Sequence, residues 1–136
     1  MTAEYPTALR SACVLVVDDL EDYLVKAARD LEPFHRVRTA LSGDEALGIL
    51  AAHASEIIAV VSDFSMPGMN GVELLDLVAI RFPEMRRILC SVGPAPPGFE
   101  AHTFVSKLPP ENFPGRLVFE IRRPLDTQPA RRSSRA

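Results

Sequence analysis

The chain has 136 residues, 47% of them hydrophobic and 24% charged, which suits one folded domain with a sizeable core and argues against global disorder. The net charge of −3 divides into −6 over residues 1–110 and +3 over residues 111–136, unlike a uniformly basic nucleic-acid binder. The longest apolar runs, Ala12 to Val17 and Ile57 to Val61, fall far short of the roughly 20 residues needed to cross a bilayer. Met1 to Arg10 lacks the apolar stretch of a secretory leader, so a cytoplasmic location is expected.

Cys13 to Val17 is a continuous apolar run that suits a strand buried on both faces, and it ends in Asp18-Asp19. Leu20, Leu24, Ala27, Ala28 and Leu31 then repeat at helical spacing until Pro33. Phe34 to Thr39 alternates weakly, as an edge strand would. Ser42-Gly43-Asp44-Glu45 opens a second helix with Ala46, Leu47, Leu50 and Ala51 on one face. Ile57 to Val61 predicts a further buried strand, running into Ser62-Asp63. A loop from Phe64 to Asn70 leads to a helix over about Gly71–Phe82, closed by Pro83. Arg87 to Ser91 and Thr103 to Ser106 read as the last two strands, and Pro114 to Arg123 as the last helix. Residues 1–11 and the basic stretch 124–136, with Arg131, Arg132 and Arg135, read as tails, the latter disordered, flanking one folded unit at 12–123.

Strands alternating with helices predict an α/β fold, a doubly wound five-stranded parallel sheet. Such sheets carry their sites beyond the carboxyl ends of the strands. The residues there are Asp18, Asp19, Asp63, Ser91 and Lys107. Gathered carboxylates call for a hard, oxygen-ligated cation such as Mg²⁺, and a lysine and a hydroxyl beside them suit a phosphoryl group. Cys13 and Cys90 show no metal-ligand spacing and read as buried apolar residues; His35, His53 and His102 are scattered and suggest no metal cluster.

The segments Val14 to Asp19, Asp63 to Gly71 and Phe104 to Lys107, with Ser42 to Leu47, resemble the receiver domain of bacterial two-component response regulators over about residues 12–123. The resemblance implies a flavodoxin-like fold. It implies that Asp63 is the phosphoacceptor and that Asp18 and Asp19 hold Mg²⁺, joined by Asp63 and the backbone carbonyl of Ser65. Lys107 would pair with the phosphoryl oxygens, Ser91 would move toward them, and Phe104 would be the aromatic switch residue. The implied partners are a histidine kinase or histidine phosphotransfer protein and an unidentified downstream protein, with no direct nucleic-acid or membrane binding. With no DNA-binding segment after residue 123, output is expected by protein–protein contact or onward phosphotransfer, from a protein that is not an enzyme beyond self-catalysed phosphotransfer and slow autodephosphorylation.

Two rival readings stand beside this one. A pseudo-receiver would keep the pocket and signal without phosphorylation. A Mg²⁺-dependent phosphohydrolase of a related fold would need a second carboxylate two residues past the nucleophile, where Ser65 stands. The chain also departs from the family pattern. Residues 92–100 carry three prolines and two glycines, so the helix expected between the fourth and fifth strands is predicted to be missing or much reduced. Phe99 is the large apolar residue in that loop and is expected to fold inward as a plug, worth roughly 2 kcal/mol if fully buried. Its truncation is then expected to cost about 2–4 kcal/mol. Leu108 stands where proline usually follows the lysine, Leu20 replaces a residue that is often acidic or polar, and Val92 is bulkier than usual.

Overall fold

The computed structural model describes residues 12–123. Both tails anticipated from the sequence lie outside these residues. Strands β1 (Cys13–Val17), β2 (Arg36–Ala40), β3 (Ile57–Asp63), β4 (Arg86–Ser91) and β5 (Thr103–Ser106) alternate with helices α1 (Glu21–Leu31), α2 (Gly43–His53), α3 (Gly71–Arg81) and α4 (Phe113–Arg122). All strand pairings are parallel, in the order β2-β1-β3-β4-β5.

Every residue of β1 is buried, as its unbroken apolar run requires of a strand covered on both faces. Alternate side chains divide between two cores. Cys13, Leu15, Val17, Val60 and Leu89 face α2 and α3, with Ala46, Leu50, Leu75 and Val78. Val14, Val16, Ala59, Val61, Ile88 and Cys90 face α1 and α4, with Leu24, Leu31, Leu117 and Ile121. Both cysteines are free and buried, and burial pushes the Cys90 thiol up to about 12.

Local signals set the helix starts. The Ser42 hydroxyl accepts from the Glu45 N–H at 3.0 Å at the head of α2. Asn70 and Glu73 form a reciprocal capping box at the head of α3. Helix α1 begins differently: Leu20 occupies its cap position, and the Leu20 N–H donates to Asp18 Oδ1 at 3.0 Å. Asp19 is therefore not spent as a cap.

Three strands differ in their boundaries from the sequence reading: β2, β3 and, by starting one residue earlier at Arg86, β4. β2 starts at Arg36 rather than Phe34, because the N–H groups of Phe34 and His35 both donate to the Leu31 carbonyl in the turn that closes α1. β3 runs on through Ser62 to Asp63, which pairs in register with Cys90.

The β4–β5 connection contains only a single turn of 3₁₀ helix, Phe99–Ala101, in place of a full helix. Gly98 enters that turn with φ 89°, a left-handed conformation that favours glycine. Phe99 does turn inward, packing edge-to-face on Phe104 with ring centroids 6.0 Å apart. It is only partly buried, and it shares the cover with the buried residues Pro96, Ala101 and His102. Beneath them Arg87, on β4, donates from Nε to His102 Nδ1 at 3.1 Å and from a terminal nitrogen to the Ala101 carbonyl at 3.1 Å. His102 Nε2 lies 2.7 Å from Asp76 Oδ1 on α3.

Candidate functional site: an acidic crevice at the strand ends

In the strand order, β1 has β2 on one side and β3 on the other, so consecutive connections part company between β1 and β3. A crevice at this switch point is where open α/β sheets place their ligands. Asp18 immediately follows β1, and Asp63 is the last residue of β3. One carboxylate oxygen each from Asp18, Asp19 and Asp63 lies within 4.8 Å of the others.

Lys107, one residue past β5, closes the crevice. Its Nζ lies 2.9 Å from Asp18 Oδ2 and 2.8 Å from Asp63 Oδ1. Its own N–H donates to the Ser91 carbonyl at 2.9 Å, so the β4–β5 pairing sets where the lysine starts. The other oxygen of Asp63, Oδ2, accepts from the Ser65 N–H at 3.1 Å.

These contacts leave negative charge in excess. Burial raises the Asp63 carboxyl above its ordinary value, and the neighbouring Asp18 adds to the rise, together outweighing Lys107. Burial alone would lower the Lys107 ammonium, but the Asp63 and Asp18 carboxylates outweigh it and hold the pKa up. One lysine thus serves two carboxylates, with a third close by. Hard oxygen donors at this spacing fit a small dication such as Mg²⁺, with Asp18, Asp19 and Asp63 holding it and water completing the shell.

A close approach fixes the backbone behind Asp63. The Phe64 N–H donates to the Cys90 carbonyl, and the Gly71 N–H to the Phe64 carbonyl, each at 2.9 Å. A Cβ on Gly71 would stand 2.3 Å from the Asp63 carbonyl oxygen and 2.7 Å from Leu89 Cδ1. Only glycine lets α3 start this close to the strand that carries Asp63.

The structure brings Asp18, Asp19, Asp63 and Lys107 together as the sequence predicts. Ser65 stands beside them through its N–H. Ser91 lies at the end of β4, where its hydroxyl accepts from the Gly93 N–H at 3.1 Å. Phe104 is partly buried in β5, in register with Leu89 and packed against the core. Val92 and Leu108, flanking the crevice along the chain, are 52% and 47% exposed, and both line the cavity beside Asp18, Asp63 and Lys107. The sequence reading named Gly71 as the helix opening without the steric role just given, and it missed Tyr23. Tyr23 sits under the lysine, with Lys107 Nζ 4.5 Å from its ring centroid. The available signal for Tyr23 was its place in the first turn of the helix that directly follows the Asp18-Asp19 pair.

The chain is similar to known proteins. Residues 14–103 match the family model of the response regulator receiver domain. The hydrogenase transcriptional regulatory protein HoxA of Cupriavidus necator is 40% identical over 82 residues, 60% of this chain and 17% of that protein. Sensor kinase CckA of Brucella abortus is 34% identical over 100 residues, 73% of this chain and 10% of that protein. The chain thus spans less than a fifth of these relatives. Among solved structures, the signal receiver domain of an HD domain-containing protein from Pseudomonas fluorescens superposes with a TM-score of 0.73 at 26% identity, covering 88% of this chain and 98% of that one. A response regulator receiver domain protein from Clostridium thermocellum superposes at 0.70 with 25% identity, covering 81% and 90%.

Proposed function

The chain belongs to the response regulator receiver domain family, and from that premise we propose that Asp63 accepts a phosphoryl group from a histidine kinase or histidine phosphotransfer protein. The observation that carries the reading is Lys107 Nζ bridging Asp18 and Asp63 in the switch-point crevice, where three carboxylate oxygens gather.

In the reaction, an Asp63 carboxylate oxygen forms a bond to phosphorus. The bond from phosphorus to the donor imidazole nitrogen breaks, and its electron pair stays on that nitrogen. The product is an acyl phosphate on Asp63. Lys107 faces the charge that arrives on the phosphoryl oxygens. The Ser65 N–H holds one Asp63 oxygen and so orients the carboxylate. Ser91, once released from the Gly93 N–H, supplies a hydroxyl to the same group, and Phe104 moves with it. Bound at Asp18, Asp19, Asp63 and the Ser65 carbonyl, Mg²⁺ supplies neutralisation of the crowded oxygens.

The partners are the phosphodonor protein and a downstream protein reached by contact or onward transfer. The exposed apolar side chains of Val92 and Leu108, which line the cavity beside Asp63, suit such contacts. The phosphohydrolase reading lacks its second acid, because a serine, Ser65, stands two residues past Asp63 where a carboxylate is needed.

Mass spectrometry after incubation with acetyl phosphate and Mg²⁺ tests the proposal. Wild-type protein is expected to gain one phosphoryl group on Asp63, and Asp63→Asn none. Equal labelling of both overturns the assignment. A wild type that stays unlabelled under all donors supports the pseudo-receiver reading instead.

A further inference from the structure

We infer that Tyr23 is a positioning residue for phosphoryl transfer, holding the Lys107 ammonium through the face of its ring. The inference rests on the phosphoacceptor reading of Asp63. Tyr23 lies in the first turn of α1, and Lys107 Nζ stands 4.5 Å from its ring centroid. The same nitrogen reaches Asp18 and Asp63 at 2.9 Å and 2.8 Å. The ammonium therefore has carboxylates as two of its neighbours and an aromatic face as a third.

The exposures show which partner shelters which. Tyr23 is 45% exposed, whereas the Lys107 side chain is 12% exposed. The ring shields the ammonium from water on its side of the crevice. The phenol oxygen makes no hydrogen bond among the described residues, so the ring face is the working part of the side chain. An aromatic face attracts a cation through its quadrupole, and shelter from water strengthens the attraction.

This contact has a property that the carboxylates lack. Both carboxylate contacts change when Asp63 becomes an acyl phosphate and Asp18 engages a cation. The ring face takes no part in either exchange and stays as it was. Tyr23 thus keeps Nζ at the mouth of the crevice through the step in which its other partners are reassigned. A half-exposed contact of this kind corresponds to about a two- to five-fold effect on rate.

The experiment compares wild type with Tyr23→Phe, Tyr23→Leu and a protein carrying 3,4,5-trifluorophenylalanine at position 23. Initial phosphorylation rates with acetyl phosphate and Mg²⁺ are read by mass spectrometry, with Tm as the folding control. Tyr23→Phe is expected to match wild type. The Leu and trifluoro proteins are expected to be slower by about two- to five-fold at unchanged Tm, because fluorine withdraws the ring's negative face without changing its packing. Wild-type rates in both overturn the inference. A second readout, the ring-current shift of the Lys107 ε-methylene protons followed by NMR at one fixed pH, does not depend on phosphorylation. The upfield shift is expected in wild type and in Tyr23→Phe and is expected to vanish in Tyr23→Leu; its absence from wild type also overturns the inference. If wild type is not phosphorylated while the ring-current shift behaves as expected, the phosphoacceptor reading fails and the ring contact stands.

Discussion

Two polar clusters share this sheet and handle charge in opposite ways. Under the β4–β5 connection, Arg87, His102 and Asp76 form a matched chain. A guanidinium only donates, so His102 Nδ1 accepts from Arg87 Nε; the imidazole proton then sits on Nε2 and is donated to Asp76. The Ala101 carbonyl takes a further guanidinium N–H. At the strand ends, by contrast, Asp18 and Asp63 divide one lysine, and Asp19 brings a third carboxylate. The first cluster satisfies its groups within the fold. The second leaves, among the described residues, an excess of negative charge that an added cation would settle. Polar groups that the protein balances itself serve the fold, and those it leaves unbalanced mark the place where a ligand enters.

The largest effect is expected at Arg87. Arg87→Ala removes a buried side chain and leaves the Ala101 carbonyl and His102 Nδ1 without this donor, so it is expected to destabilise the protein by about 3 kcal/mol. Urea denaturation with an unchanged m-value checks this. Labelling of the folded fraction by acetyl phosphate is expected to persist, since Arg87 belongs to the other cluster. A loss below about 1 kcal/mol would mean that the matched chain contributes little to the fold.

The two clusters also differ in how far the sequence revealed them. β1 and β3 were legible because strands buried on both faces must be continuously apolar. Asp18, Asp19 and Asp63 were legible because carboxylates end those runs. The edge strand β2 was placed early because only weak alternation marks it, and Phe34 serves the turn after α1 instead. The three prolines and two glycines of 92–100 announced the missing helix, but nothing announced its polar replacement. His102 and Asp76 are 26 residues apart, and His102 and Arg87 are 15 apart. No local pattern links such positions, so a histidine that looked scattered proved to be a buried connector. Tyr23 was hidden for the same reason: its partner Lys107 comes from the other end of the fold.

A smaller effect is expected at Phe99, the apolar half of the same cover. Its partial burial and its sharing of the gap with Pro96, Ala101 and His102 lower the expectation drawn from full burial. Phe99→Ala is expected to cost about 1–2 kcal/mol, less than a fully buried phenylalanine would. The double variant with Arg87→Ala tests whether the two residues act as one cover. Both residues pack the same connection, so their costs are expected to fall short of additive. Full additivity would show two independent anchors rather than one cover.

The smallest effect, and the one opposite in sign, belongs to Asp63→Asn. Burial and Asp18 hold the Asp63 carboxyl above its ordinary value, so the folded protein binds that proton more tightly than the unfolded chain does. The stability tied to this group is therefore lost as pH rises from the unfolded carboxylate range, about 4, through the raised folded value, and it stays lost at neutral pH. An asparagine cannot ionise, and Lys107 keeps its contact with Asp18. Asp63→Asn is accordingly expected to melt a few degrees above wild type at pH 7, with the gap closing on acidification toward pH 4. Mg²⁺ relieves the same repulsion in wild type, so it is expected to raise the wild-type Tm more than that of the variant. Lys107 adds an opposite limb: its pKa is held up by the two carboxylates, so its contribution is present at neutral pH and lost as pH climbs through that raised value. With one carboxylate gone, the alkaline loss in Asp63→Asn is expected to be the shallower. A variant less stable than wild type at pH 7 would show that the Lys107–Asp63 pair outweighs the crowding, and that the strand-end cluster is balanced within the fold after all.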